Sequence, residues 1–128
     1  MADQVVIGFT GHRNRWCDPA RLHALAQEFP GSHWVHGDAE GFDTQVRYFL
    51  SVHGPRYGLT SDRLRPDYDR YPPKIAPLVR DQEIVARAHF MVACWDGRLT
   101  GGTYETRKYA EDESKVIRDW EPDPVQEI

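Results

Sequence analysis

Short apolar runs alternate along the chain with stretches in which apolar residues recur every three or four positions. QVVIGFT, Gln4 to Thr10, is a β-branched run closed by Gly11, as expected of a buried strand. Asp18 followed by Pro19 marks a helix start, and Leu22, Leu25, Ala26 and Phe29 then share one helical face until Pro30 and Gly31 end it. SHWVHG, Ser32 to Gly37, predicts a second strand. Gly41 opens a second helix with Phe42, Val46, Phe49 and Leu50 on its inner face. PRYGLT, Pro55 to Thr60, is a weaker strand candidate. The charged, proline- and tyrosine-rich piece from Ser61 to Pro77 is irregular, of a length that in compact domains tends to be functional or mobile. A helix follows over Leu78 to Ala88, then the most apolar strand, HFMVACW, His89 to Trp95. A glycine-bearing loop, a helix over Thr103 to Glu113 and a last strand, Lys115 to Trp120, complete the order, with a frayed tail expected over residues 121–128.

Strands apolar throughout and alternating with helices predict an α/β fold: a Rossmann-like three-layer sandwich whose mostly parallel sheet of about five strands carries helices on both faces. The 128 residues fit a single domain, and 40% hydrophobic content is enough for a packed core. A net charge of −4 argues against a general nucleic-acid binder, which needs a basic stripe, but leaves room for a small phosphate pocket. Cys17 and Cys94 lack metal-ligand spacing and are expected to be free thiols, so no metal and no cofactor is called for. No leader is read ahead of the first strand and no apolar run approaches the roughly 18 residues of a membrane span, so a cytoplasmic protein without membrane contact is expected. A homo-oligomer, most simply a two-fold dimer, is the expected assembly.

In parallel sheets ligands bind beyond the carboxyl ends of the strands. Each strong glycine cluster of this chain falls at such an end. After the first strand, TGHR offers Thr10, Gly11, His12 and Arg13, with backbone that a ligand can approach and an arginine for a phosphate. After the second, HGDAEGFD offers Gly37, Asp38, Gly41 and Asp43 at a helix start. Asp38 and Glu40 would repel a phosphate and are expected to face outward; Asp43 suits either a ribose hydroxyl or the helix's first turn. After the fourth, TGGTYET offers the amides of Gly101, Gly102 and Thr103 and the hydroxyls of Thr103 and Thr106 as a phosphate cradle. Glu105 beside such a cradle faces solvent or serves chemistry. Arg80, Trp95, Tyr68 and Tyr71 are further candidates, the aromatics as platforms for a base or as loop packing.

These pieces together resemble the SLOG superfamily, which groups the Rossmann-like DNA-processing protein A domains, the LONELY GUY phosphoribohydrolases and small bacterial and phage proteins. The resemblance rests on TGHR after a strand, on GDAEGFD opening a helix, and on RDQEIVARAHFMVACWDG followed by GGTYET, and it spans nearly the whole chain. It implies recognition of a nucleotide or nucleotide-derived molecule, an ADP-ribose-like signal being one form. Arg80 and Gly102-Thr103-Tyr104-Glu105 are similar to the LONELY GUY arginine and G-T-x-E. This implies an alternative, a nucleoside 5′-monophosphate N-glycosidase using Glu105 and Arg80. The sequence departs from that group in a longer loop without proline and in His89 where an aspartate is usual. Single-stranded nucleic-acid binding, as in the DNA-processing relatives, is a second alternative that the acidic balance opposes.

Overall fold

The structure, a computed structural model, describes residues 4–124. Five strands, β1 (Val6–Gly11), β2 (His33–His36), β3 (Thr60–Arg63), β4 (Phe90–Cys94) and β5 (Val116–Trp120), form one parallel sheet in the order β3-β2-β1-β4-β5. Four helices connect them: α1 (Pro19–Glu28), α2 (Phe42–His53), α3 (Ala76–Arg87) and α4 (Gly102–Asp112). The expected α/β sandwich is present.

Alternation along the strands sends neighbouring side chains into different layers. Trp34 of β2 and Val92 of β4 join Leu22, Leu25 and Ala26 of α1 and Phe42, Val46 and Phe49 of α2 in one apolar cluster. Trp34 stacks on Phe49 with ring centroids 5.4 Å apart. The adjacent residues Val35 and Met91 enter a second cluster with Ile84 and Val85 of α3 and Ala110 of α4. So α1 and α2 cover one face, and α3 and α4 the other. α1 begins where the sequence marks it: the Asp18 carboxylate accepts the Ala20 N–H at 2.9 Å, with Pro19 as the first helical residue. Cys17 and Cys94 are buried free thiols.

Two expectations need correction. PRYGLT is not a strand: Gly54–Tyr57 forms one 3₁₀ turn, closed by Gly58 in the left-handed region at φ 69°. The strand begins at Thr60 and is TSDR, exposed at every position. It is an edge strand with neither side chain row packed, so it carries no apolar signal. The tail is also not loose throughout. Asp123 N–H donates to the Trp16 carbonyl at 2.8 Å and Arg15 Nη2 to the Asp123 carbonyl at 2.8 Å, which ties the chain beyond β5 to the loop before α1. The expected fraying of residues 125–128 lies outside the described residues. The irregular segment between β3 and α3 has a topological task. It must carry the chain from one sheet edge to the helix that leads into β4, on the opposite side of β1.

The strand order reverses between β1 and β4. From β1 the chain proceeds outward through α1 to β2 and through α2 to β3; it then returns through α3 to β4 on β1's other side. β1 and β4 stay paired to their last residues, Gly11 and Cys94, and the connections that leave them part to opposite faces of the sheet, which leaves a crevice. Gly41 keeps one wall of that crevice tight. It has φ 75°, and a Cβ there would stand 2.3 Å from the Arg13 backbone, while the next residue, Phe42, donates its N–H to the His12 carbonyl at 3.2 Å. Gly41→Ala is expected to cost roughly 2–4 kcal/mol through left-handed strain and collision with main chain, read as a lower urea midpoint with unchanged slope.

Candidate functional site

A cleft of about 350 Å³ opens at this switch point, within the usual size range of small-molecule sites. Four segments line it: Thr10 to Asn14 at the end of β1 and beyond it, Ala39 and Asp43 before and within the first turn of α2, Pro77, Leu78, Arg80 and Asp81 at the start of α3, and Arg98 and Thr100 to Thr103 before and into α4. The three glycine-marked strand ends thus do converge.

The α4 side offers donors. Gly101 precedes the helix at φ 94°, and no side chain caps it. The first helical bond is Glu105 N–H to the Gly101 carbonyl, which leaves the amides of Gly102, Thr103 and Tyr104 without helical partners. Unpaired N–H groups and the positive end of the helix dipole coincide here. A Cβ on Gly102 would meet nothing within 4 Å, so the space before these amides is open. Arg13 is exposed, lines the same cleft and forms no ion pair among the described residues. Arg98, in the loop before α4, also lines the cleft with its guanidinium forked onto Asp96, at 3.0 Å from Nε to each carboxylate oxygen. These bonds, with the Arg98 amide and nearby His12, hold the Asp96 carboxyl well below its usual range.

His12 is buried in the wall. Its Nε2 lies 3.1 Å from the Asp96 carboxylate and 3.2 Å from the Asp96 N–H. Burial lowers the pKa of His12, against the opposing pull of Asp96. Nε2 thus faces both an N–H and a carboxylate oxygen of Asp96, and the protonation of the ring decides which of the two it serves.

The inner part of the cleft is built from charges that the chain supplies in pairs. Arg80 is buried, and its Nε donates to Asp81 Oδ1 at 2.7 Å, its Nη1 to Asp38 Oδ1 at 2.9 Å and to the Leu64 carbonyl at 3.3 Å. Asp81 also stands 3.2 Å from the Thr106 hydroxyl, and its carboxyl is raised above its usual range by burial, which Arg80 only partly offsets. Asp43 is 8% exposed; its Oδ2 accepts the Ala39 N–H at 3.2 Å and its Oδ1 has no partner. Burial raises its pKa to about 7, against the pull of the Arg80 guanidinium. Carboxyls with such shifted pKa values recur at functional sites, which makes Asp43 a candidate here.

Of the residues singled out in the sequence, Thr10, Gly11, His12, Arg13, Asp43, Arg80, Gly101, Gly102 and Thr103 line the cleft. Others serve elsewhere. Gly37 and Gly41 do not form a phosphate turn: a Cβ on Gly37 would stand 2.8 Å from both Arg80 Nη1 and Asp43 Oδ2, and Gly41 faces the Arg13 backbone. The space that each leaves is filled by the protein itself. Asp38 turns toward Arg80 instead of pointing away. The Thr106 hydroxyl is 2.8 Å from the Gly102 carbonyl, so its one proton is shared between that oxygen and Asp81. Trp95 does not line the cleft: its Nε1 donates to the Arg98 carbonyl at 2.9 Å, and the Arg107 guanidinium covers one face of the ring at 3.9 Å. Tyr68 is exposed on the crossover loop, and neither it nor Tyr71 reaches the cleft.

Glu105 is also outside. It is exposed on α4 and borders a shallower depression between α3 and α4, with Gln82, Lys108 and Asp112. The carboxylates within reach of the main cleft are Asp43 and Asp81. Sequence reading missed Asp81 although it adjoins Arg80. An acidic residue one step after a candidate arginine, on a helix that faces a strand end, was the available signal. Asn14, Arg98 and Thr100 were likewise visible only as members of the loops already marked.

Among the described residues no helix is long and apolar enough to cross a membrane. The chain matches no protein-family model, no curated protein and no solved structure with which it was compared.

Proposed function

We propose that the chain is a small nucleotide-binding domain of SLOG type, which holds the phosphate of a nucleotide or nucleotide-derived ligand on the Gly101–Thr103 turn. The observation that carries this reading is the uncapped start of α4. Its open amides border the switch-point cleft, which Arg13, a cation that forms no ion pair among the described residues, also lines. A phosphate there would accept the amide protons, lie against the positive helix end and gain the arginine. The polar lining, with arginine, threonine and aspartate around a small cleft, suits a polar ligand better than a hydrocarbon. Hydrolysis through Glu105 draws no support from this geometry, since the carboxylate is not in the cleft.

The test is a thermal-shift series with nucleoside mono- and diphosphates. A ligand at 100 times its Kd adds about 2.7 kcal/mol to stability, a readily measured rise in Tm. Absence of any shift with millimolar nucleotides would refute the reading. Gly102→Val should remove the shift without loss of the fold. The position has ordinary backbone angles and open space around its Cβ, so valine meets no protein atom but occupies the approach to the amides. Calorimetric titration of the variant checks this, and unchanged nucleotide affinity would move the phosphate elsewhere.

A further inference from the structure

Cys17 and Cys94 are nucleophilic groups for which the cleft has no use. Far apart in the chain, both are fully buried and belong to one apolar cluster with Trp120. Cys94 ends β4, with Gly11 as its strand partner on one side and Trp120 on the other. The Cys17 Sγ lies 3.8 Å from the carbonyl of Glu121, the residue after Trp120, so main chain as well as packing brings the two side chains to one place. There the thiols meet. A hydrogen bond with the Cys17 thiol, and then burial, raises the Cys94 pKa above the ordinary thiol value. Gln45, buried on α2, fixes Cys17 in this position: its side-chain amide accepts the Cys17 N–H at 2.9 Å and donates to the Cys17 carbonyl at 2.6 Å.

Apposed thiols differ from any other small apolar pair in one respect: they can give up two protons and two electrons for a covalent bond. We propose that Cys17 and Cys94 are a reversible dithiol–disulfide pair, oxidised by hydrogen peroxide, whose bond is accommodated by the cleft-lining loop between β1 and α1. Cys17 reacts first, because it sits in that loop between the exposed residues Trp16 and Asp18, whereas Cys94 is held inside a strand paired on both sides. Its sulfur attacks a peroxide oxygen, the O–O bond breaks, and hydroxide leaves with the thiol proton as water; Cys17 becomes a sulfenic acid. The Cys94 sulfur then attacks the Cys17 sulfur, the S–O bond breaks, and hydroxide leaves with the Cys94 proton as a second water. Two thiols are oxidised to one disulfide and one peroxide is reduced to two waters. A disulfide of about 2.05 Å is shorter than any non-bonded contact, so the sulfurs must approach. With β4 fixed in the sheet, the loop moves, and His12, Arg13 and Asn14, just ahead of Cys17, move their part of the cleft wall with it. This inference is independent of the phosphate reading.

The test treats the folded protein with hydrogen peroxide, unfolds it in the presence of N-ethylmaleimide, and maps its peptides with and without dithiothreitol. Wild type should lose both maleimide sites, yield a peptide linking Cys17 to Cys94 within one chain, and regain both sites after the reductant. Cys17→Ala treated alike should yield no such link. Hydrogen exchange of the untreated and oxidised proteins should differ in residues 12–18 and agree in residues 90–94. Two free thiols after treatment, a sulfinic acid in place of the link, or a link between chains overturns the pair. A link within the chain that leaves exchange in residues 12–18 unchanged overturns the assignment of the loop.

Discussion

Asp43→Asn should make the protein more stable at pH 8 and hardly change it at pH 4. In the unfolded chain the aspartate ionises with its ordinary pKa of 3.8, whereas in the folded chain burial raises that to about 7. The folded state therefore binds the extra proton between these values. The sign follows directly: the protonated group's contribution is fully present below pH 4, is lost as pH rises through 7, and stays lost above it. At 1.36 kcal/mol per pH unit, the ionised carboxylate costs the fold on the order of 4 kcal/mol at pH 8. Asparagine keeps the shape and the acceptor for the Ala39 N–H but carries no charge. Its amide hydrogens remain without a partner where Oδ1 now lies, which takes back about 1–3 kcal/mol. The expected net gain is thus about 2 kcal/mol at pH 8. Near pH 4 a neutral acid is replaced by a neutral amide, and the curves should meet. Urea unfolding of both proteins at the two pH values measures this. A variant that is less stable at pH 8 would mean that Arg80 attracts Asp43 more strongly than burial penalises it. A residue whose removal stabilises the fold is one kept for another purpose, as expected of ligand sites.

The parts of this molecule legible in its sequence are those written in hydrophobic patterning and backbone punctuation. VIGFTG and FMVAC are apolar because both faces of a central parallel strand are covered, and their lengths and terminal residues mark them as strands. TSDR was hidden for the same reason reversed: with both faces in solvent, the edge strand has nothing apolar to show. The glycine clusters located the cleft because backbone must change direction at strand ends. They did not say what fills the room that a missing Cβ leaves. At Gly102 that room is open, at Gly37 it holds Arg80 and Asp43, and at Gly41 it holds the Arg13 backbone. Likewise Trp95 reads as a platform until Arg107, twelve residues on, is found lying across it. Such pairings are set by tertiary packing, and one sequence holds no local trace of them. Glu105 shows the limit of motif spacing: on α4 it lies beside Tyr104 and Thr106, yet helical geometry turns it away from the cleft that Thr103 lines.

Arg80→Met should be the most damaging of these substitutions, with a loss of about 3–5 kcal/mol at pH 8. The guanidinium is buried and serves as the shared counter-charge of the inner cleft, in hydrogen-bonded ion pairs with Asp81 and Asp38 and in Coulombic contact with Asp43. Methionine would occupy much of the volume but would leave Asp43 buried without its cation and Asp81 with only the more distant Arg13. Both carboxyls are already raised by burial with Arg80 present; without it they rise further. The deficit must therefore shrink as the pH falls and the two groups take up protons, so unfolding at pH 5 should show a clearly smaller loss than at pH 8. Arg80→Lys should recover only part of the stability, because an ammonium cannot reproduce the separate Nε and Nη1 contacts that hold Asp81 on one side and Asp38 with Leu64 on the other. The two central charges are also coupled. In the Arg80→Met background Asp43→Asn should stabilise by more than it does alone, because it then removes a carboxylate with no counter-charge at all. A loss that is uniform across pH, together with strict additivity in the double variant, would show that Arg80 contributes packing rather than charge. Observed coupling and pH dependence would place Arg80 as the counter-charge that lets this acidic cluster exist inside the fold.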